Sequence, residues 1–519
     1  MSTTSKDHKM PLYDGKDVSE PHRQLDIDVG ATREVGAPQV LNESFSLWSS
    51  LGLQYSLTST PLAVGAYLTS VIGVGGSPVF IYGYILAVGC NLCVCLSLAE
   101  IAAVYPHSSG QIYWISVLAH KKYARGLSYL AAWIVSAAYF FLTAATCLLA
   151  SQLIWALVAV IKTTFVAQPW EYYVLYIGSA AVAFALNVPL FKLYPFMLKS
   201  MVVFINTGAL FVLIVLLVRT HPKQSASFVF ADLVNMTGWK SDGVVFFLGL
   251  LPGATAVNGF EGAAHLADEI PHPERNIPRV MFGSALMSAL AGLPLVLVYM
   301  FCIISPANLL APIGGQPIAQ LLLDSLDSQA LTIIAILVYI LVMLCAAICL
   351  LTSFSRILWS VGRQGALPLS GWVSKVNTYY ELPVNAVASG VLLIVAIGAI
   401  ILGSTTAINA ILGAGIVMCY LSYILVVGSL LYAGRANAFP SKRNFNLGRS
   451  GIYFNIISII WMPFITVWLC FPSYVPVTAS TMNYASAVTG GVFFCAVVNW
   501  FAYSKTRYTE PVAMNQESF

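Results

Sequence analysis

Residues 46–70, SLWSSLGLQYSLTSTPLAVGAYLTS, decide the fold. The flanks of this stretch are apolar enough to enter a bilayer. Its centre, Ser56-Leu57-Thr58-Ser59-Thr60-Pro61, instead places four hydroxyl residues and a proline where an uninterrupted membrane helix would carry Leu and Ile. Thr60 followed by Pro61 is a cap and a first-turn proline, the pattern of a helix beginning. The spacing predicts a second half-helix that starts mid-membrane near Pro61, with its unpaired N–H groups and positive dipole end aimed at an anionic group in the gap. The alternative is a proline kink whose Ser and Thr side chains bond back to their own helix.

The rest of the 519-residue chain demands the same solvent. Hydrophobic types make up 58% of it and charged types 9%, against roughly 45–50% and about 25% in soluble domains. That balance excludes a water-soluble globular enzyme and makes the lipid bilayer the expected partner. In lipid every backbone polar group must pair within a helix or a closed barrel, and the apolar runs here exceed the roughly 10 residues of a barrel strand. The fold class is therefore all-α integral membrane. The net charge of +4 is scattered, with no basic stripe, so nucleic acid is not an expected partner.

Apolar runs near the length a bilayer requires fall at about 46–70, 78–103, 127–160, 170–189, 195–218, 243–266, 280–304, 329–355, 383–403, 408–432, 452–471 and 482–503. This predicts 12 transmembrane helices within a transporter domain at 46–504. Residues 1–45 read as a disordered cytosolic tail without a signal peptide, and 505–519 as a cytosolic C-terminal tail. With the N-terminus inside, sixteen Lys and Arg fall on the cytosolic side, whereas only Lys162, Arg219, Lys223 and Lys240 fall outside, as the positive-inside rule requires. All ten cysteines lie in apolar runs, so neither disulfides nor a zinc framework are expected. Cys90, Cys93 and Cys95 form a C-x2-C-x-C string with no His or acidic partner adjoining it. It reads as small apolar filler, and no metal or other cofactor is expected.

The sixth span repeats the interruption with Pro252-Gly253 and then Asn258-Gly259-Phe260-Glu261-Gly262. Glu261 is the acidic residue that falls deep inside a span, where an ionised carboxylate costs several kcal/mol unless partnered, hydrated or protonated. His265 follows one turn later on the same face. Glu261 and His265 are thus candidates for a proton-responsive pair. The alternatives are a neutral Glu261 that staples unwound backbone and a His265 that merely lies near the cytosolic exit. Breaks at spans one and six imply two five-helix halves, about 46–218 and 243–432, related as a 5+5 inverted repeat, with helices 11 and 12 at 452–503 added. Substrate sites in such architectures lie at the midplane between the breaks.

Three separated motifs resemble those of the amino acid, polyamine and organocation permeases, and within that family the fungal branch of 4-aminobutyrate (GABA) and choline permeases. Glu100 to Trp114, EIAAVYPHSSGQIYW, is similar to the E-x5-P-x-S-G-G-x-Y-x-W pattern. Gly259 to Pro271, GFEGAAHLADEIP, resembles G-[FY]-[DE]-x-x-x-[HT]-x-x-E-E-[IV]-x, with Asp268 in place of the commoner first Glu. Ser355-Arg356, then Gly362 to Pro368 and Pro383 to Ala386, resemble S-R-x5-A-R-D-G-x-L-P and its continuation. The resemblance covers about residues 42–505. It implies a leucine-transporter-like fold and secondary active uptake of a small amine or amino acid. Carried over by position, substrate contacts fall on Ser56, Thr58, Ser59 and Thr60, amine contacts on the unwound carbonyls of Ala256 to Gly259, including Asn258, and the gate on Phe260. The first break lacks the G-x-G of many bacterial members, and Asn206 stands about where some proton-coupled members keep a lysine.

The expected activity is import of an amino acid such as 4-aminobutyrate by a proton-coupled permease, with the substrate carboxylate on the half-helix near Thr60. A second reading keeps the fold and changes the cargo to choline or another quaternary amine or polyamine, held by aromatic faces drawn from Tyr55, Tyr139, Phe140, Phe141 and Phe260. A third is a nutrient sensor that binds without flux. An enzyme is not expected, because no acyl-transfer, phosphate-loop or metal constellation is present. The plasma membrane is the expected address, with the vacuolar membrane as the alternative.

Overall fold

A computed structural model describes residues 44–404, 408, 411–479 and 481–511. The tail expected at 1–45 lies outside the described residues up to Glu43, as does the expected C-terminal tail beyond Pro511. Helix α1 (Leu47–Thr58) opens on a reciprocal serine box, in which Ser46 Oγ accepts the Ser49 N–H and Ser49 Oγ accepts the Ser46 N–H. It ends at Ser59, which is left-handed at φ 45°. The chain restarts as α2 (Thr60–Ala63), tightens through one 3-10 turn at Val64–Tyr67 and closes as α3 (Leu68–Ile72).

The long elements follow as α4 (Gly76–Val104), α5 (Gln111–Leu118), α6 (Lys121–Ile161), α7 (Pro169–Asn187) and α8 (Tyr194–Arg219). The sixth apolar run gives two short helices, α9 (Asp242–Leu248) and α10 (Leu251–Ala256). After them come α11 (Pro273–Phe301), α12 (Pro317–Leu326), α13 (Gln329–Arg363), α14 (Val384–Gly398), α15 (Ala414–Ala433), α16 (Gly451–Cys470) and α17 (Ala485–Asn499).

Among the described residues, nine helices are long and apolar enough to cross a membrane: α4, α6, α8, α11, α13, α14, α15, α16 and α17, some lengthened by a flanking 3-10 or π turn. The expected spans at 46–70 and 243–266 fall short of that length because each is broken, and the run at 170–189 forms α7. Burial sorts the nine into layers. About two-thirds of the apolar stretch of α13 and α15 is buried, against 28% for α8 and α16 and 22% for α17. The central helices therefore pack on protein over most of their surface, while the outer ones turn Phe196, Ile460 and Phe494 outward. An apolar surface of that extent suits hydrocarbon, not water.

The three sequence motifs meet at one end of the bundle. Glu269 takes Arg356 in a two-pronged pair, Nε to Oε1 at 2.8 Å and Nη2 to Oε2 at 3.1 Å, with both side chains buried. Glu100, at the end of α4, holds Arg435 and Arg443, each at 2.7 Å, and accepts the Leu447 N–H. Ser108 Oγ donates to Asp268 Oδ2 at 2.8 Å. The last described residues dock at this same end. Tyr508 is buried and its hydroxyl donates to Ser128 Oγ on α6. Arg125 Nη2 donates to the carbonyls of Lys505 and Tyr508, and the Thr509 N–H donates to the Gln364 carbonyl.

At the opposite end, Val74–Gly75 pairs antiparallel with Val234–Asn235. There Gln316, just before α12, donates through Nε2 to Gln152 on α6, and Thr69 donates to the Leu309 carbonyl.

Candidate functional site

Between α10 and the 3-10 segment Gly262–Glu269 the backbone leaves helical geometry, with Gly259 at φ 71°. Carbonyls freed by such a break must find donors when buried. Here they come from side chains of three other elements. Asn91 Nδ2 on α4 donates to Ala254 and Val257, Thr60 Oγ1 donates to Ala256, and Gln54 Nε2 on α1 donates to Gly259 at 2.8 Å. Gln54 also accepts the Ala263 N–H, so one side chain bridges both sides of the break. Asn91 Oδ1 accepts from Tyr420 on α15 and Trp461 on α16, which fills every hydrogen-bonding position of that amide.

The two breaks border a cavity of about 90 Å³. At roughly 10–15 Å³ for each water-sized volume, it suits a ligand of a few heavy atoms and falls well below the roughly 300 Å³ or more of drug-sized pockets. The first break supplies Thr58 and Ser59, its restart Tyr67, and the sixth break Thr255, Ala256 and Asn258. One face of α6 (Leu142, Thr146, Leu149), one face of α13 (Met343, Ala346, Leu350) and Ile416 complete the wall. None of the described residues that line it carries a charge.

Of the residues expected to touch substrate, Thr58, Ser59, Ala256 and Asn258 therefore border the cavity, and Ser56, Thr60, Gly259 and Phe260 do not. The reasons are local. Ser56 is fully buried in α1. Thr60 spends its hydroxyl on Ala256, and Ser59 at the N-cap position of the restart makes no side-chain cap, its own hydroxyl donating back to the Ser56 carbonyl. Gly259 is held by Gln54, and Phe260 lies flat on Tyr423 with centroids 5.4 Å apart. The expected aromatic contacts are likewise engaged elsewhere, as Tyr55 donates to Asn206 Oδ1 at 2.9 Å and Tyr139 donates to Glu261 Oε1 at 3.0 Å.

Glu261 is completely buried and accepts three hydrogen bonds. Tyr139 and Gln111 serve Oε1, and Tyr423 serves Oε2. It does not bond to His265, although the i+4 spacing put the two on one face. The 3-10 backbone of Gly262–Glu269 turns His265 instead toward the first motif, where Nδ1 meets the Ser108 carbonyl at 3.2 Å and the ring packs against Gly110. A Cβ at Gly110 would lie 2.6 Å from the imidazole, and its φ is +52°. The two residues share only Tyr139, which His265 meets edge-on at 5.4 Å.

Tyr67, Thr146, Thr255 and Tyr423 were not foreseen. A threonine inside a helix ordinarily bonds back one turn, and Thr146 and Thr255 do so, which makes them indistinguishable by sequence from filler. Tyr67 pairs with Thr255 across the two breaks.

Comparison with known proteins agrees with this architecture. A family profile described as "Amino acid permease" matches residues 45–494. A choline transporter of Saccharomyces cerevisiae is 30% identical over 89% of this chain and 81% of its own length. A swainsonine transporter of Arthroderma benhamiae is 26% identical over 89% and 91%, and amino-acid permease 2 of Neurospora crassa is 26% identical over 93% and 88%. A multi-pass helical bundle, two broken helices around a small uncharged cavity and a match across nearly the whole chain lead to one conclusion: the chain belongs to the amino acid permease family and is a permease, not an enzyme.

Proposed function

We propose that the protein is a secondary active transporter that imports a small amino acid, with 4-aminobutyrate as its representative, together with a proton. The observation that carries this reading is the cavity bordered by both breaks and walled by hydroxyls, an amide and aliphatic side chains. In this reading the substrate carboxylate lies against the hydroxyls of Thr58 and Ser59 and the start of the restarted helix. Its ammonium lies against the Ala256 carbonyl, an oxygen with a second lone pair beside the one that takes Thr60.

The transporter domain spans 46–504 with twelve crossings, α7 and the two broken segments adding to the nine long helices. Its halves at about 46–218 and 243–432 form a 5+5 inverted repeat, with 452–503 appended. Alternating access comes from rocking one bundle against the other. Both termini, including the tails at 1–45 and 505–519, face the cytosol of a plasma-membrane protein, as the Lys and Arg distribution supports.

Glu261 is the coupling group. It is a buried carboxylate held by three neutral side-chain donors, and no cation among the described residues pairs with it. His265, next to the same tyrosine, lies on the side from which the proton arrives. Uptake of a labelled panel of 4-aminobutyrate, neutral and basic amino acids and choline into proteoliposomes tests the reading, with and without an inward proton gradient. Gradient-stimulated uptake of an amino acid is the expected result. Glu261→Gln is expected to remove most of the pH dependence while leaving the protein folded. Unchanged pH dependence in that variant would remove Glu261 from the coupling.

Choline import is a second reading. It is favoured by the name of the 30%-identical yeast relative and by a wall without charge, since a quaternary ammonium donates no hydrogen bond. Tyr67 is the aromatic ring in that wall. Choline that abolishes amino acid uptake without itself entering would count against this reading, and choline flux alone would replace the first.

A further inference from the structure

Tyr423 has one hydroxyl proton and two acceptors. Its oxygen lies within hydrogen-bond reach of Glu261 Oε2 and, at 3.1 Å, of Asn258 Oδ1. A phenol donates once, so one of these contacts goes without its proton at any moment. Asn258 borders the cavity, and its Nδ2, which the Tyr420 hydroxyl approaches, closes no well-formed hydrogen bond among the described residues although the side chain is only 6% exposed. Its Oδ1 also takes the Gly259 N–H at 2.6 Å, which fixes the orientation of the amide and leaves Nδ2 for the ligand.

We propose that Tyr423 relays the protonation of Glu261 to the cavity wall by switching its single hydroxyl proton between Glu261 Oε2 and Asn258 Oδ1. The inference rests on the coupling role proposed above for Glu261 and adds the route by which that role reaches the substrate.

The two carboxylate oxygens are not equivalent. Oε1 faces Gln111 Nε2, which can only donate, together with the Tyr139 hydroxyl. Among side chains Oε2 has Tyr423 alone, so it is the oxygen that takes up the proton. While Glu261 is ionised, the Tyr423 proton points to Oε2, and Asn258 Oδ1 keeps only the Gly259 N–H. When Oε2 is protonated, the new O–H donates to the Tyr423 oxygen and the Tyr423 O–H turns to Asn258. One O–H bond forms, at Glu261, and one breaks in the hydronium ion that delivers the co-transported proton and leaves as water; none breaks within the protein. The amide is then held from two sides with Nδ2 toward the substrate's acceptor atom, so protonation tightens binding.

Other groups near Glu261 do not compete for this role. Tyr139, Cys95, Cys419 and His265 are the remaining titratable neighbours, on α6, α4, α15 and the 3-10 segment. From α1 and α13 come only the neutral Gln54 and Ser353. No lysine, arginine or second carboxylate among the described residues contacts Glu261. Stacking on Phe260 keeps the Tyr423 ring in place while its hydroxyl turns.

The test is equilibrium binding of radiolabelled 4-aminobutyrate and radiolabelled choline to the purified full-length protein at acidic and at neutral pH, with thermal unfolding to verify folding. The wild type is expected to bind its substrate roughly 2- to 10-fold more tightly at acidic pH, the range one additional neutral hydrogen bond supports. Tyr423→Phe is expected to bind weakly at both pH values, with that ratio near one, although Glu261 is intact. Glu261→Gln places an amide donor toward Tyr423 and is expected to bind at the acidic-pH level throughout. If Tyr423→Phe does not fold, Asn258→Ala carries the same expectation of a flattened ratio. A wild-type ratio retained in Tyr423→Phe or Asn258→Ala, while Glu261→Gln loses it, overturns the relay and leaves the coupling role standing. A ratio retained in Glu261→Gln overturns both. A purely structural defect would weaken binding equally at the two pH values and keep the ratio, so that outcome also counts against the relay.

Discussion

Arg356→Met is expected to destabilise the protein by about 3–5 kcal/mol, the usual cost of stranding one partner of a buried ion pair. Glu269 and Arg356 are each at most 1% exposed, and their paired hydrogen bonds are the evident compensation for burying both charges. The arginine also lies over the Phe191 ring at 5.6 Å and donates to Ser355, so methionine forfeits those contacts as well. Thermal unfolding in detergent is the measurement, with the exposed Arg449→Met as reference. An equal loss in the two variants would show that the pair adds nothing. The double variant Arg356→Met with Glu269→Leu is expected to regain much of the loss, because the cost lies chiefly in the carboxylate left behind. The pair ties α13 to the segment that follows the sixth break, and the Glu269 carbonyl accepts the Phe45 N–H at the approach to α1.

Gly253→Val is expected to cut transport by about tenfold or more in a protein that still reaches the membrane. A Cβ at this position would lie 2.8 Å from the Gly83 carbonyl oxygen, 2.8 Å from Tyr84 Cα and 2.9 Å from Ala87 Cβ. Two of those three neighbours are backbone atoms of α4, which cannot swing aside. Overpacking of this kind costs roughly 1–3 kcal/mol, and the shift falls on α10, which positions the carbonyls held by Asn91. Displacing those carbonyls by the equivalent of 1.4 kcal/mol already slows a step about tenfold. Uptake should therefore fall by about tenfold or more, whereas Gly89→Val on the same α4, where a Cβ meets nothing within 4 Å, should transport normally. Equal uptake by the two variants would show that the close approach of α10 to α4 is immaterial.

Why the architecture was legible while part of the site was not follows from the range of the interactions involved. Helix breaks are local: hydroxyl residues ahead of Pro61, and Pro252-Gly253 ahead of Asn258-Gly259, act on their own backbone. The structure interrupts the chain within a residue or two of each. The placement of Glu261 among neutral donors is also local, since a lone acid in an apolar run must find partners. Which partners it finds is set by α5, α6 and α15, all more than a hundred residues away in sequence. Thr60 shows the same limit. Its sequence neighbours made it a cap, but Ala256, 196 residues on, takes its hydroxyl. His265 was paired with Glu261 by ideal α-helical spacing, and the 3-10 winding of Gly262–Glu269 moved it to the Ser108 carbonyl. The motifs were easy to find and their purpose was not. Glu100, Glu269 and Arg356 read as signature positions and prove to be the charged fastenings of one end of the bundle.

The docking of Tyr508 bears on how the chain is made. The hydroxyl that Ser128 accepts, and the carbonyls that Arg125 clasps, belong to residues synthesised some 380 positions later, an interval seen directly in the 380-residue separation of Ser128 and Tyr508. The first turns of α6 are made early, yet these partners are synthesised only after α17. A nascent chain halted after Ser504 would carry every described helix from α1 to α17 and still lack the carbonyls and the hydroxyl that Arg125 and Ser128 meet. Residues 505–508 thus fasten the start of α6 only after every described helix has been made.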